Sequence, residues 1–332
     1  MHSSRERPFG PSISYNEEVP SLSVVVPATD APATLVACVR AIEAAVHPPE
    51  EVIVVDAPSG ARPSSARNSG IRRAKGDVLV FVDSDVVVHS DVFDRIRAAF
   101  EADSSLSALF GSYDDDPARH GLISDFRNLL HHHVHHEGAG EATTFWSGLG
   151  AVRRSAIIEA GGFDEDLRYL EDVDLGMRLH QNHGSIRLDA RIQGKHLKHW
   201  TLANMLYTDL FGRGVPWIRL LAKDRSHSTT LNLGWRHRAS AAASVLLLAG
   251  LLGRRPYRIA GAVVALCTLN APFYGLLVRK RGWRQAAAGV PLHALHHLVG
   301  AAAVPTAGLL FVTERFGPLW RRLPVSPQAR NL

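Results

Sequence analysis

Short runs of β-branched residues alternate with segments of helical periodicity through the first third of the chain. The predicted strands are residues 22–26, 51–55 and 78–82. The predicted helices that follow them are residues 33–46, 65–75 and 91–102. Residues 57–65 contain two prolines, a glycine and three serines, which indicates a loop. Strands that alternate with helices predict a mostly parallel, doubly wound α/β sheet.

The same pattern continues more loosely after residue 103. Residues 108–111 are predicted to form a strand, and residues 123–136 a helix that ends in a run of histidines. Residues 144–153 are expected to return the chain to the sheet, and residues 154–160 to form a short helix. Residues 171–182 have the apolar spacing of an amphipathic helix.

Three long apolar segments follow Arg238, namely residues 239–252, 259–278 and 286–312. The second and third are long enough to cross a bilayer, whereas the first is short for that purpose. A buried helical hairpin of a soluble domain is the alternative. Arginines and a lysine flank the runs at 254–255 and 279–281, as interfacial anchors do, and they favour membrane attachment.

These patterns divide the chain into four predicted parts. They are a disordered polar tail at 1–20, an α/β domain at 21–232, membrane-associated helices at 233–313 and a basic tail at 314–332. The tail at 1–20 has no apolar stretch typical of a signal peptide, so we expect the α/β domain to be cytoplasmic. Because basic residues favour the cytoplasmic side, we expect two spans, with residues 239–252 in the interface, residues 279–284 outside and the C-terminal end inside. Three spans are the alternative.

The charge distribution excludes nucleic acid as the expected partner, although the net charge is +5. Thirteen of the 37 Lys and Arg residues, but only one of the 32 Asp and Glu residues, lie from Leu233 onwards. The preceding part is therefore acidic, and the positive charge lies beside the apolar segments, as at a membrane surface. The two cysteines, Cys38 and Cys267, are far apart in sequence and indicate a reducing compartment without a disulfide framework.

Asp83 and Asp85 come directly after the apolar run at 78–82. Two carboxylates at the carboxyl end of a buried strand lie where open α/β sheets bind ligands. Carboxylate oxygens suit Mg²⁺ or Mn²⁺, which proteins often share with substrate phosphates. The alternative is a polar turn after a strand.

Several segments, in this order along the chain, resemble family 2 glycosyltransferases, which are inverting enzymes with the GT-A nucleotide-sugar fold. The segments are Ser23-Val24-Val25-Val26-Pro27, Glu51-Val52-Ile53-Val54-Val55-Asp56, Ala66-Arg67-Asn68-Ser69-Gly70-Ile71, Ala74-Lys75-Gly76-Asp77, Asp83-Ser84-Asp85, Gly161-Gly162-Phe163-Asp164-Glu165 and Leu170-Glu171-Asp172-Val173-Asp174-Leu175. The resemblance implies a GT-A domain, followed here by C-terminal hydrophobic membrane helices.

The departures from the family pattern fall on the base and ribose side of the donor site. Ala28-Thr29-Asp30 follows Pro27 where the family commonly has an Asn-Glu pair, and Ala57-Pro58-Ser59 follows Asp56 in place of a second acid and a glycine. The identity of the nucleotide is therefore open. The Gln-x-x-Arg-Trp motif of processive polysaccharide synthases is not found, which argues against a polymerase. Residues Arg213 to Trp217 resemble that motif only weakly.

The resemblance also implies roles for single residues. It makes Asp172 the candidate base that deprotonates the acceptor, against the alternative of a carboxylate that matches the dipole of its helix. The expected donor-binding residues are Pro27, Asp56, Arg67, Asp83 and Asp85, with a surface ion pair as the alternative for Arg67. The expected metal ligands are Asp85, Asp83 and His196, with an ordinary loop histidine as the alternative for His196. The expected acceptor-side residues are Trp146, Gly148 and Glu171, although Trp146 is equally compatible with a core position.

The histidine run at 131–136 also suggests a zinc site. Consecutive histidines on a helix point in different directions, and no cysteine or carboxylate pattern completes a tetrahedral set. We therefore expect a polar helix face that is acceptor-side or membrane-facing.

The sequence as a whole predicts a metal-dependent inverting glycosyltransferase on the cytoplasmic face of the inner membrane. The expected cofactor is Mg²⁺ or Mn²⁺, the donor a UDP- or GDP-sugar, and the acceptor a membrane lipid or lipid-linked molecule. The alternatives are a nucleotidyltransferase and a catalytically inactive membrane scaffold of the same fold. The acidic segment at Thr29-Asp30 argues against the first, and the presence of Asp83, Asp85 and Asp172 together argues against the second.

Overall fold

The computed structural model describes residues 19–29, 32–57, 60–223 and 234–316. The strands are β1 (Leu22–Thr29), β2 (Glu51–Ala57), β3 (Val78–Val82), β4 (Val86–Val88), β5 (Leu106–Tyr113), β6 (Gly140–Ala142), β7 (Leu149–Arg153) and β8 (Ser185–His196). The helices before the apolar segments are α1 (Leu35–Glu43), α2 (Pro63–Arg73), α3 (Val92–Ala102), α4 (Leu122–Glu137), α5 (Arg154–Glu159), α6 (Glu171–Gln181), α7 (Leu202–Tyr207) and α8 (Val215–Lys223). A π-helix, Thr208–Gly214, joins α7 to α8. The apolar helices are α9 (Trp235–Leu252), α10 (Pro256–Leu269), α11 (Ala271–Arg281) and α12 (Trp283–Phe316).

The strands form one mixed sheet in the order β2-β1-β3-β7-β5-β8-β4, with β6 paired to β8. The prediction of a mostly parallel sheet is therefore wrong. β1 is parallel to β2 and β3, but β7 lies antiparallel between β3 and β5. The antiparallel strand arises because residues 138–148 lead the chain back across the sheet, so that β7 runs opposite to the early strands.

Two hydrophobic cores cover the two faces of this sheet. On one face Cys38 and Ile42 of α1 and Phe93 and Ile96 of α3 pack against the strands. On the other face the strands pack against buried residues of α2, α5 and α6, which include Ala66, Ile157, Leu175 and Leu179. The alternating strands and helices therefore predicted the layers of the fold correctly.

The predicted elements differ from the observed ones chiefly in the second half of the domain. β4, β6 and β8 were not predicted, although β8 alternates buried and less buried positions through Ile186, Leu188, Ala190 and Ile192. The helix predicted from residue 65 begins at Pro63, because proline fits the first helical position and shortens the predicted loop. β5 is longer and β7 shorter than expected.

The second apolar segment does not form one straight helix, which corrects the prediction that residues 259–278 cross a bilayer as a unit. α10 and α11 meet at Asn270 with a bend of 77°. Pro272 in the first turn of α11 lacks the N–H that would continue α10, and the Asn270 amide donates to Leu266 O and Ser240 Oγ. Among the described residues, α12 is the one helix long and apolar enough to cross a membrane unaided.

α11 packs against the α/β half of the chain. Phe273, Leu276 and Leu277 of α11 share a core with Phe126 and Leu129 of α4. At the end of α11, Lys280 Nζ lies 2.5 Å from Asp115 Oδ2, and Arg281 Nε lies 2.7 Å from Asp125 Oδ1.

These ion pairs correct two predictions. Lys280 and Arg281 bind carboxylates of the α/β domain and are not lipid anchors. Because they touch that domain, they lie on its side of any membrane, so the two-span arrangement with residues 279–284 outside is wrong. The predicted disordered tail and cytoplasmic C-terminal end fall mainly on residues 1–18 and 317–332, which lie outside the described residues. Cys38 and Cys267 are both free, as predicted.

Candidate active site

The turn after β3 presents Asp83 and Asp85 at the carboxyl end of the strand. The backbone N–H of Asp83 donates to Gly148 O at 3.0 Å, and that of Val86 donates to Asp83 O at 2.9 Å. The Leu197 N–H donates to Asp85 O at 2.8 Å. The turn is thus held to β7 on one side and to the end of β8 on the other, which fixes the position of both carboxylates.

Arg67 of α2 lies behind Asp83 and joins it to α6. Its Nη2 atom is 2.7 Å from Asp83 Oδ1, and its Nη1 atom is 2.8 Å from Glu171 Oε1. Burial opposes the charge of the guanidinium, but Asp83, Glu171 and Asp172 hold the pKa of Arg67 above its usual range. Arg67 is only 4% exposed, so the alternative of a surface ion pair is wrong.

Burial raises the pKa of the Asp83 carboxyl, and the nearby Asp85 adds to this while Arg67 opposes it. Burial likewise raises the pKa of Glu171, again against the effect of Arg67. The buried guanidinium therefore keeps two carboxylates together that would otherwise repel each other. We infer that Arg67 holds the side chains of Asp83 and Glu171 close to each other.

His196 ends β8 directly beside Asp85. Its Nε2 atom lies 3.4 Å from Asp85 Oδ2, and its ring stacks on that of Tyr113 at 4.0 Å with an interplanar angle of 9°. Burial alone would raise the pKa of Asp85, but the hydrogen bond and charge of His196, together with Lys198, lower it. The structure thus brings together all three residues that were predicted as metal ligands.

Asp172 lies in the first turn of α6. Its Oδ2 atom accepts from the Ser147 N–H at 3.1 Å and from Ser147 Oγ at 3.4 Å. Leu170, the residue before α6, adopts a left-handed conformation with φ +62°, which is costly for a side chain other than glycine. Such local strain is frequent at functional sites, and here it aims the first turn of α6 at the segment Trp146–Ser147.

Trp146 and Gly148 depend on each other. A Cβ atom at position 148 would lie 2.3 Å from the Trp146 ring, so only glycine allows the indole to lie over this part of the backbone. The half-buried indole contacts the rings of Tyr113 at 4.9 Å and His131 at 4.8 Å. Trp146 therefore both packs against the hydrophobic cores and lines the cavity.

A cavity of about 190 Å³ opens in front of these residues. Four of the predicted site residues line it, namely Asp83, Asp85, Trp146 and His196. Arg67, Glu171 and Asp172 lie behind this lining. Pro27 is buried in β1 opposite Val55, and Asp56 is exposed at the end of β2, both on the β1–β2 side of the sheet.

Sequence reasoning missed the basic wall of this cavity. It consists of Arg127 on α4, Lys198 after β8 and Arg213 on the π-helix. Arg127 and Lys198 both lie over the Trp200 ring, at 5.3 and 4.4 Å from its centroid. Burial lowers the pKa of Arg127 to about 10, so Arg127 remains charged near neutral pH. Burial also lowers the pKa of Lys198, which the nearby Asp85 opposes. The signs of this wall in the sequence were the weak likeness to the synthase motif at Arg213 and the position of Lys198 two residues after His196.

The histidine run on α4 points in several directions, as expected for consecutive helical residues, and it does not form the single acceptor-side or membrane-facing polar face that was predicted. His132 and His135 are buried, and their Nδ1 atoms bond to Tyr113 O at 2.9 Å and Gly111 O at 2.8 Å. His131 lines the cavity, where burial lowers its pKa well below the usual value. A neutral imidazole there contributes an aromatic surface and no charge.

Residues 57–161 match the family described as glycosyl transferase family 2. No curated protein sequence matches the chain. The matched segment, about a third of the chain, is therefore similar to glycosyl transferase family 2.

Three solved structures are similar to this chain at low sequence identity, and the first of them shows a similar fold. The mannosyltransferase PcManGT from Pyrobaculum calidifontis, in complex with GDP-Man and Mn²⁺, is 16% identical with a TM-score of 0.53, over 88% of each chain. Residues 1–349 of S. aureus TarS are 16% identical with a TM-score of 0.44, over 86% of this chain and 92% of that one. GalNAc-T7 with UDP, GalNAc and Mn²⁺ is 14% identical with a TM-score of 0.45, over 69% and 52%.

The ligand atoms at the turn after β3 fit a divalent cation. Asp83 and Asp85 each expose about a third of their side chains, at 32% and 31%, and both line the cavity. Two carboxylates with one imidazole suit Mg²⁺ and Mn²⁺, which prefer oxygen ligands and accept nitrogen less readily. The basic wall across the cavity suits the phosphates that such a cation would share.

Proposed function

We propose that this enzyme transfers a sugar, with inversion, from a UDP- or GDP-sugar to a lipid-linked acceptor at the cytoplasmic face of the inner membrane. The observation that carries the proposal is the cavity with two walls of opposite charge. One wall holds Asp83, Asp85 and His196, and the other holds Arg127, Lys198 and Arg213. A nucleotide-sugar diphosphate needs both a cation and basic side chains to neutralise its charge.

The donor is proposed to lie along the carboxyl ends of β1, β2 and β3. Asp56 and Pro27 would contact the nucleoside, while Asp83, Asp85 and His196 would hold Mg²⁺ or Mn²⁺. That cation supplies positive charge to the leaving diphosphate when bound. The similar fold of a mannosyltransferase in complex with GDP-Man and Mn²⁺ supports a donor of this class.

Transfer by single displacement requires the acceptor oxygen to attack from the face opposite the diphosphate. The bond between the anomeric carbon and the diphosphate oxygen breaks as the new glycosidic bond forms, and the configuration inverts. Asp172 is the proposed acceptor of the hydroxyl proton, held by Ser147 at the start of α6. Trp146, Gly148 and Glu171 are the proposed acceptor-side residues, of which Trp146 faces the cavity directly.

A lipid-linked acceptor is supported by the position of the basic wall next to the apolar helices. Arg127 lies 2.7 Å from Asp209 on the π-helix, and Asp209 accepts from His296 of α12 at 2.8 Å. Only 17% of the most apolar stretch of α12 is buried, so most of its surface is free to contact lipid. An acceptor phosphate at the membrane surface would thus meet Arg127 and Arg213 on entering the cavity.

A panel of nucleotide-sugars tests the proposal with purified full-length protein in detergent. With Mn²⁺ present, one UDP- or GDP-sugar should raise the unfolding midpoint and transfer its sugar to a polyprenyl phosphate, with the opposite anomeric configuration in the product. A neutral diacylglycerol acceptor serves as the comparison, and its preferential use would contradict the anionic acceptor. Turnover of nucleoside triphosphates without use of any nucleotide-sugar would favour the nucleotidyltransferase instead.

A further inference from the structure

Four histidines meet where α9 and α12 pack together, outside the active site described above. His237 comes from the first turn of α9, and His293, His296 and His297 come from α12. The His297 ring centroid is 4.7 Å from that of His237 and 4.4 Å from that of His293. One nitrogen from each of His237, His296 and His297 lies within 4.8 Å of the other two. Among the described residues, no other three His, Cys, Asp or Glu side chains bring their ligand atoms within 4.8 Å of one another.

His297 is the central member, and its hydrogen-bonding groups are unused. It is only 2% exposed, and neither of its ring nitrogens has a hydrogen-bond partner among the described residues. Burying a polar group without a hydrogen-bond partner costs free energy, because the group loses its bonds to water. The buried His132 and His135 on α4 avoid that cost because each bonds to a backbone carbonyl. His297 has no such carbonyl partner, so its burial is explained only if one of its nitrogens binds another group.

His296 is oriented as metal-binding histidines usually are. Its Nδ1 atom lies 2.8 Å from Asp209 Oδ2, so the neutral ring donates from Nδ1 and keeps its lone pair on Nε2. Histidines that bind metals almost always donate their other N–H to a carboxylate or carbonyl, which fixes the ring and raises its basicity. Asp209 is itself held by Arg127, with 2.7 Å between Oδ1 and Nη2.

We propose that His237, His296 and His297 form a binding site for a divalent transition-metal ion of the Zn²⁺ class. Three imidazole nitrogens suit zinc and its neighbours in the first row and are poor ligands for Mg²⁺ or Ca²⁺. Zn–N bonds of about 2.0–2.1 Å place neighbouring nitrogens roughly 3.3 Å apart in a tetrahedron, which small side-chain rotations would reach. Water or His293 would complete the coordination.

Such an ion would join α9 to α12 and would act on the active site through a short path. His296 contacts Asp209, Asp209 holds Arg127, and Arg127 lines the cavity. The metal would therefore fix the basic wall of the cavity against the apolar helices. The site is distinct in ligand chemistry from Asp83, Asp85 and His196, where carboxylate oxygens dominate.

The test is a zinc titration of full-length protein stripped with a chelator, in detergent, with a chromophoric chelator as competitor and excess Mg²⁺ present. The wild type should bind one equivalent more of Zn²⁺ than His297→Ala. The control His180→Ala removes an exposed histidine of α6 and should bind as the wild type does. Asp85→Asn should keep the same equivalent, which separates this site from the turn after β3.

A second measurement needs no variant and remains decisive if His297→Ala fails to fold. X-ray absorption of the wild type loaded with one equivalent of Zn²⁺ should show at least three imidazole ligands. Equal Zn²⁺ binding by the wild type and a folded His297→Ala, or zinc held mainly by oxygen ligands, would overturn the proposal. The four rings would then be an aromatic packing cluster only.

Discussion

Asp172 and Asp174 lie two residues apart on α6 but have different surroundings. Asp172 accepts from Ser147 on the segment that carries Trp146, and its charge acts on both Asp83 and Arg67. Asp174 instead pairs with Arg178 one turn later, at 2.8 Å. The difference shows how a single residue acquires a role from what its side chain faces rather than from its position in a run of acids.

We expect Asp172→Asn to reduce transfer about 10²–10⁴-fold, because a positioned base contributes a factor of this size. Donor affinity should barely change, since Asp56, Asp83 and Asp85 remain. The measurement is the transfer rate and the donor dissociation constant with the true acceptor. Asp174→Asn is the matched control and should stay near the wild-type rate. A normal rate for Asp172→Asn would move the search for the base to Glu171.

Asp85→Ala should abolish metal-dependent transfer while the protein stays folded. The side chain is about a third exposed into the cavity, so its loss leaves no large void, but it removes a proposed ligand of Mg²⁺ or Mn²⁺. Treatment with EDTA should have the same effect on the wild type and should reverse on adding Mn²⁺. Asp94→Ala, which removes a partly exposed carboxylate of α3, is the control. Undiminished transfer by protein treated with EDTA would contradict the proposed role of the metal.

At the scale of elements, the site depends on how closely α6 approaches the segment before β7. Gly176 of α6 lies against the backbone of Thr144 and Phe145, and a Cβ atom there would be 2.2 Å from the Phe145 N atom. Only glycine, which has no Cβ atom, fits at this position without moving the helix. α6 carries Glu171 and Asp172, so this contact sets their distance from Arg67 and Ser147.

Gly176→Ala should destabilise the protein by about 1–3 kcal/mol, the usual cost of overpacking a well-packed position. This outcome opposes the ordinary effect of glycine-to-alanine changes inside helices, which stabilise by roughly 0.5–1 kcal/mol. Gly261→Ala on α10 is the control, since a Cβ atom there meets nothing within 4 Å. The measurement is the unfolding midpoint of both variants in detergent. An equal or raised midpoint for Gly176→Ala would mean that α6 can shift freely.

At the scale of the whole molecule, the apolar helices return to the α/β domain before α12 begins. α9 and α10 have 18 and 14 residues, so they extend about 27 and 21 Å, less than a bilayer core of about 30 Å. α11 then packs on α4, and Lys280 and Arg281 bind Asp115 and Asp125. The connection between α11 and α12 therefore lies on the side of the active site.

A cysteine introduced at Arg284 tests this arrangement in intact cells. With Cys38 and Cys267 replaced by alanine, Arg284→Cys should react with a membrane-impermeant maleimide only after the cells are permeabilised. Arg191→Cys, at an exposed position of β8, should behave identically and serves as the control. If Arg284→Cys were labelled in sealed cells while Arg191→Cys was not, α11 and α12 would be joined outside, as the two-span arrangement required.

The sequence determined the features that depend on local patterns. The spacing of apolar residues specified β1 to β3 and the helices between them, because a buried strand or an amphipathic helix repeats its own period. Asp83 and Asp85 could be recognised because they directly follow such a strand, whereas Asp172 was identified through the family resemblance of residues 170–175. The apolar composition after Arg238 likewise identified the C-terminal helices, though not the break at Asn270.

Only the tertiary structure decided which distant residues share the site. Arg127, Lys198 and Arg213 come from three separate elements and carry no common spacing, so no local pattern could group them as one wall of the cavity. The reversal of β7 and the pairing of β8 bring His196 to Asp85, and strand order is set by contacts across the whole domain. The same holds for α11, whose basic end resembled a lipid anchor but binds acids that lie more than 150 residues earlier. The sequence does not show which partner neutralises a basic side chain, because tertiary contacts determine that partner.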